Sequence, residues 1–376
     1  MQSPGLLLTV AAFLLMLGPL VFFHELGHYF AGRCFGIKSD AFSIGFGPEI
    51  AGWTDKRGTR WKLSALPLGG YVRFAGDMNP ASQADPAWLQ LPAEERARTF
   101  QAKTVWQRAI VVAAGPITNF ILAFLILIGL ALAFGNNQTP SIVGSIGPGS
   151  AAESIGLQKG DRITALGGRS MSTFEDLLFY VQGRAGQPVR VDFERGGIAM
   201  SRDTVIATHH EKDQFGNEGD RGMLGIGPPA QVFTRVGVLE APSVAFRELG
   251  NLLRVTGEGL GQLLTGQRSI KDMGGPVRIA KISGEQMSMG WANFVWLLAL
   301  VSINLGFINL LPVPMLDGGH LFFYAIEAVR RRPVTPQIQE WAYRGGLVAI
   351  LMLVMIVTFN DLRAIGVWKH LTGLIG

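Results

Sequence analysis

"VFFHELGHYF", residues 21–30, sets two histidines and a glutamate at the end of an uncharged run, "GLLLTVAAFLLMLGPLVFF", residues 5–23. The i, i+4 spacing of His24 and His28 places both imidazoles on one face of a helix, where two neutral ring nitrogens can share one Zn²⁺. Glu25 projects from the adjacent position, need not be a ligand, and can act as general base on a water at the metal. In a soluble helix the same pattern also describes solvated surface histidines. Behind an apolar run the position differs, because an ionisable side chain near a bilayer centre costs at least ~2.5–3.5 kcal/mol and needs a partner. A metal ion is such a partner.

The rest of the chain supports the membrane setting. Of 376 residues, 48% are hydrophobic and only 16% charged, more apolar than an average soluble protein. Residues 109–134 and 287–316 are also uncharged, and "GGLVAILMLVMIVTF", residues 345–359, forms a shorter apolar run. A span takes roughly 20 apolar residues, so three runs qualify and the fourth draws on its flanks, where Arg344 can snorkel. The first run lacks a basic leader and an A-x-A-like cleavage site before the histidines, so it reads as a retained helix rather than a signal peptide. Lys and Arg crowd the loop between the first two runs, and Arg330, Arg331 and Arg332 follow the third. Positive-inside bias puts both loops in the cytoplasm, and both termini and the long segment 135–286 outside. The net charge of +5 includes no dense basic tract, which argues against a nucleic-acid partner. Cys34, the single cysteine, can form no internal disulfide and no Cys-rich zinc site.

Residues 140–229 change character, with short apolar runs, period-two stretches such as "PVRVDF" and frequent glycines around a helix at "TFEDLLFYVQ". Their order, with the "GLQKGDRI" turn at 156–163, resembles a PDZ domain of the bacterial protease-associated type. Such domains take a peptide end as an added strand, and a PDZ-shaped spacer with a blocked groove is the alternative. Residues 244–264 repeat leucines at helical intervals between Arg247, Glu248, Arg254 and Glu258, an amphipathic helix lying on the membrane surface or packed as a connector on the insert. "GTRWKLSALPLGGYVRFAGD" in the first loop predicts hairpin structure.

Catalytic zinc takes a third protein ligand. The third uncharged run ends "INLGFINLLPVPMLDGGHLFF", and Asp317 is its first carboxylate, at the cytoplasmic-side depth of the histidines. Asp317 is thus either the third ligand or a helix-terminal carboxylate after a turn. Pro312 and Pro314 break the helix, and backbone opened within hydrocarbon implies a protein-lined or hydrated cavity. Asn309 either bonds a substrate backbone there or satisfies the broken helix. Gly115, Pro116 and Asn119 in the second run suit close helix packing or cavity lining. His320 reads as interfacial, since His24, His28 and Asp317 complete a ligand set.

The expected fold is a polytopic α-helical membrane protein of about four transmembrane helices, with a membrane-associated β-hairpin region and one inserted extracytoplasmic PDZ domain of α+β type. The expected divisions are the first helix with the zinc motif (1–32), the cytoplasmic-side loop and β region (33–104) and the second helix (105–135). The PDZ domain (136–230), an amphipathic helical linker (231–286) and the broken third helix carrying Asp317 (287–325) follow. A cytoplasmic loop (326–343) and the fourth helix with its tail (344–376) complete the chain.

"HELGH", "GPITN", "PLGGYVRF", the PDZ insert and "NLLPVPMLDGGH" together resemble the site-two protease family of intramembrane zinc metalloproteases, in particular its bacterial regulator of sigma-E protease branch. They occur in the family's order over nearly the whole chain. Some members carry two PDZ domains, whereas the insert here matches one, so gating by a pair is not carried over. The resemblance implies His24, His28 and Asp317 as zinc ligands and Glu25 as catalytic acid/base. It also implies that Asn309, Pro312 and Pro314 help to hold unwound substrate beside a β element. It implies single-span membrane protein substrates, such as anti-sigma factors trimmed by another protease or remnant signal peptides, in the bacterial inner membrane. Membrane lipid and peptide ends at the PDZ groove complete the expected partners.

Overall fold

The computed structural model describes residues 5–77, 86–137, 139–212, 218–229, 233–266 and 274–364. The chain opens with α1 (Leu6–Cys34), strands β1 (Ser39–Thr54) and β2 (Arg60–Phe74), a short α2 (Ala93–Arg96) and α3 (Val105–Phe134). The inserted segment follows as β3 (Asn136–Asn137), β4 (Ser145–Ile146), α4 (Ala151–Ser154), β5 (Arg162–Leu166), β6 (Arg169–Ser170), α5 (Phe174–Gln182), β7 (Pro188–Arg195) and β8 (Ile198–Val205). Then come β9 (Ala207–Lys212), β10 (Glu218–Met223), β11 (Ile226–Gly227) and β12 (Phe233–Thr234). Helices α6 (Ala241–Leu264), α7 (Pro276–Met289), α8 (Trp291–Asn309), α9 (Asp317–Arg330) and α10 (Pro336–Ala364) complete it. Two compact units result: 1–127 with 248–253 and 275–358, and 128–247 with 254–274 and 359–376.

Four helices are long and apolar enough to cross a membrane: Leu6–Cys34, Val105–Phe134, Trp291–Asn309 and Gln337–Arg363. They coincide with the four apolar runs. The third begins later than the uncharged run did, because Met287 to Met289 close α7 and Gly290 separates it from α8. The linker expected at 231–286 therefore holds two helices. In the first unit, α7 packs on α1, where Ser283 is fully buried against Met16 and Gly284 lies so close to Thr9 that a Cβ would collide.

In the same unit β1 pairs with β2 antiparallel, and the ribbon curls on itself. Residues Ala41–Ile44 face both the 60–63 and the 70–73 stretches of β2, since Ser43 is opposite Tyr71 and also Lys62. Bends at Gly45 (φ +88°) and Gly69 (φ +104°) permit this, in a region of backbone space that side chains resist. The turn itself is at Asp55, whose carboxylate accepts from the backbone N–H groups of Arg57 and Thr59 and from Trp61 Nε1. "PLGG" (67–70) thus runs inside β2 rather than turning it. Tyr29, Phe42, Val72, Phe74 and Phe100 bury the inner face against α1 and α3.

The second unit is built on a four-stranded antiparallel sheet in the order β6-β5-β7-β8. Val189, Val191 and Phe193 alternate inward along β7 and meet Ile163, Phe174 and Leu177, each such burial contributing roughly 1.5–3 kcal/mol. Thr173 and Asp176 form a capping box at the start of α5. Within this unit Arg254 of α6 pairs with Asp176 at 2.5 Å, and Glu258 pairs with Arg169, so the C-terminal half of the amphipathic helix is tied to the insert.

Candidate active site

Helix α1 carries His24 and His28 one turn apart, and α9 carries Asp317 in its first turn. The three side chains converge. His24 Nε2 lies 3.2 Å from Asp317 Oδ2, His28 Nε2 lies 3.5 Å from the same oxygen, and the two Nε2 atoms are 3.3 Å apart. Four ligands arranged tetrahedrally at zinc bond lengths of ~2.0–2.1 Å are separated along each edge by about 3.3–3.4 Å. The three measured separations are therefore three edges of a zinc-sized tetrahedron. Asp317 Oδ2, though buried, has no hydrogen-bond partner, as expected of an atom whose partner is an ion. Among the described residues these three form the cluster of His, Cys, Asp or Glu able to hold a metal.

Neighbouring helices shape the space around the imidazoles. His28 Nδ1 donates to the Val111 carbonyl at 2.9 Å, which leaves the Nε2 lone pair facing the centre of the cluster. Gly115 of α3 leaves room for both rings: a Cβ there would stand 2.3 Å from His28 Nε2 and 3.0 Å from His24 Cε1. Asn119, one turn further on and fully buried, places its amide nitrogen 3.2 Å from His24 Nδ1.

A cavity of about 780 Å³ opens on this cluster, lined by His24, Glu25, His28, Asp317, Asn309 and the Gly69–Val72 stretch of β2 among others. Glu25 is 8% exposed and lines this cavity together with Val72. Gly70 brings β2 against it, since a Cβ on Gly70 would lie 2.9 Å from Glu25 Cγ. Asn309, the last residue of α8, faces this cavity. Pro312 and Pro314 do not line it; Pro314 packs on Gly319 and on Gly346 of α10. The turn that holds them includes Met315, a non-glycine residue at φ +83° that does reach the cavity. His320 also lines the cavity, hydrogen-bonded to Tyr343 at 2.9 Å, and stays outside the metal-capable cluster.

The chain matches the family profile described as peptidase family M50 over residues 12–353. It belongs to peptidase family M50. A protein of Agrobacterium fabrum that carries zinc metalloprotease in its name is 45% identical over 361 residues, covering 95% of this chain and 96% of its own. A similarly named protein of Rhizobium meliloti is 42% identical over 360 residues, covering 94% and 96%. The metalloprotease MmpA of Caulobacter vibrioides is 36% identical over 394 residues, covering 98% and 99%. This M50 protein is thus a zinc-dependent metalloendopeptidase. Among solved structures, the PDZ domain of the SdrC-like protein of Listeria monocytogenes is 21% identical and covers 25% of this chain and 90% of that one, with a TM-score of 0.19.

The sequence motifs point to Asn119 for packing or cavity lining and to Val72 within a β element, and carry no signal for Val111 or Tyr343. Val111 acts through its backbone carbonyl, which carries no residue-type signal. The Asn119 contact depends on the rotation of α3 against α1, which periodicity alone does not set.

Proposed function

We propose that this M50 enzyme hydrolyses peptide bonds within the membrane-spanning segments of single-span proteins, anti-sigma-factor-like regulators and remnant signal peptides among them, after their ectodomains have been trimmed. The observation that carries the reading is the three-edge match of His24, His28 and Asp317 to a zinc tetrahedron inside a cavity walled by apolar helices. His24, His28 and Asp317 hold the metal in this reading, leaving the fourth position open. Bound zinc supplies Lewis-acid polarisation of the scissile carbonyl and lowers the pKa of water. Glu25, packed against Gly70 of β2, takes the proton from water and returns it to the leaving amine.

A substrate helix has its amides satisfied internally, so cleavage requires it to unwind first. The Gly69–Val72 stretch offers strand backbone for the extended form, and Asn309, at the end of α8, offers a side-chain amide in the same cavity. Pro312 and Pro314 act on the substrate by fixing the turn between Asn309 and Asp317. The protein is a multi-pass protein of the bacterial cytoplasmic membrane. Its PDZ-like insert is extracytoplasmic and its active site lies near the cytoplasmic side, with lipid around the helices and peptide ends at the insert's groove. The basic loop around Lys56–Lys62 and the run Arg330–Arg332 support that orientation.

Purified wild type and Glu25→Gln, presented with one tagged single-span protein in full-length and ectodomain-trimmed forms, test the reading. Wild type is expected to cut only the trimmed form, inside its apolar segment, and Glu25→Gln to cut neither at a rate within about 100-fold of wild type. Cleavage outside the apolar segment, or equal cleavage of both forms, would contradict it.

A further inference from the structure

The two histidines are held differently from behind. His28 Nδ1 faces the Val111 carbonyl, which can only accept, so neutral His28 has one tautomer, with its Nε2 lone pair toward the cluster. His24 Nδ1 faces the side-chain amide of Asn119 at 3.2 Å, and that amide can donate or accept. With the nitrogen toward the ring, Asn119 donates to Nδ1, the ring proton sits on Nε2, and Nε2–H can donate to the His28 Nε2 lone pair at 3.3 Å. In that arrangement His24 cannot be a ligand. A half-turn of the amide brings Oδ1, which is buried and has no partner, to the same ring nitrogen. Oδ1 then accepts Nδ1–H, and the Nε2 lone pair points at the cluster.

We infer that Asn119 is the positioning residue for His24, its amide half-turn selecting the ring tautomer that can ligate the metal. Resting on the zinc reading above, this adds a residue to it that touches neither substrate nor metal. The backbone supports the role. Asn119 is fully buried, and its own carbonyl accepts from Ser302 Oγ of α8 at 2.8 Å, so its main chain is pinned with the amide at the His24 ring. A backbone carbonyl behind both histidines would hold two lone pairs and the Asp317 carboxylate facing one another whenever the metal is absent. The amide lets the empty cluster close through His24 Nε2–H and open again when the ion arrives.

The test is zinc affinity by chelator competition on full-length detergent-purified wild type, Asn119→Asp, Asn119→Leu and His24→Ala. Asn119→Asp keeps an acceptor behind His24 and is expected to bind zinc within a few-fold of wild type. Asn119→Leu is expected to lose about 10–100-fold, the usual cost of removing a ligand's outer partner. Zinc-free wild type and Asn119→Leu are expected to unfold thermally at the same temperature, which a merely structural role would not allow together with the affinity loss. Should Asn119→Leu unfold earlier, Asn119→Ala, which removes the amide without adding bulk, takes its place. The ligand field of bound cobalt is expected to match between wild type and Asn119→Asp. Wild-type affinity in Asn119→Leu, or an Asn119→Asp as weak as Asn119→Leu, overturns the inference. Wild type that binds no better than His24→Ala would overturn the zinc reading itself.

Discussion

Buried polar groups are treated in opposite ways in the two units. In the inserted unit they are closed among themselves: Asp161, 1% exposed, takes two hydrogen bonds from Arg195 at 2.8 Å, and Asp176 serves both the α5 capping box and Arg254. In the helical unit Asp317 Oδ2 and Asn119 Oδ1 are buried without hydrogen-bond partners, the first 3.2 Å from His24 Nε2 and the second on the amide whose nitrogen meets His24 Nδ1. Closed pairs of the first kind specify a fold, whereas open atoms converging on one point are a binding site. The difference matters more than polarity alone, since the apolar unit is where an unmatched carboxylate is most costly.

The largest expected break in this contrast is Asp317→Asn. It removes the carboxylate charge of the proposed third ligand while keeping shape, and zinc affinity by chelator competition is expected to fall by more than the ~100-fold upper end for losing an outer partner. Peptide cleavage is expected to vanish with it. Gly115→Ala comes next. Its Cβ would press on His28 Nε2, and overpacking of about 1–3 kcal/mol is expected to weaken zinc binding by about 10- to 100-fold. Equal affinity in that variant would mean that α3 does not abut the imidazoles as described.

A change in the closed region should leave the metal alone. The Arg195 hydrogen bonds hold the Asp161 carboxyl below its ordinary value, against the opposing effect of its burial. A carboxyl with a depressed folded pKa contributes stability in full above its unfolded value, about 3.9, and loses it as pH falls through the lower folded value. Arg195→Ala is therefore expected to move the acid unfolding of the insert to higher pH, followed by limited proteolysis between about pH 5 and 2. The smallest expected effect is on zinc: Arg195→Ala at neutral pH should bind it as wild type does.

How much of this was legible before folding follows from the same contrast. Uncharged runs define spans because hydrocarbon excludes charge, so all four long apolar helices were readable. Helical spacing puts His24 and His28 on one face and the third run brings Asp317 to their depth, and the three side chains do converge within 3.5 Å. The curl of β1 on β2 was not, because residues 60–66 and 70–74 look like one hairpin arm until the bends at Gly45 and Gly69 fold them onto both sides of Ala41–Ile44. Pro312 and Pro314 were read correctly as breakers, yet helix breaking does not say which side of the turn meets the cavity. Gly346, distant in sequence, receives Pro314 instead.

Zinc K-edge absorption on the purified protein tests the central claim most directly. Two imidazole nitrogens and oxygen ligands at about 2.0–2.2 Å, four-coordinate and with no sulfur, are predicted for wild type, and Asp317→Asn should lose that signature. A sulfur ligand near ~2.3 Å, or a wild-type spectrum unchanged in Asp317→Asn, would contradict the account.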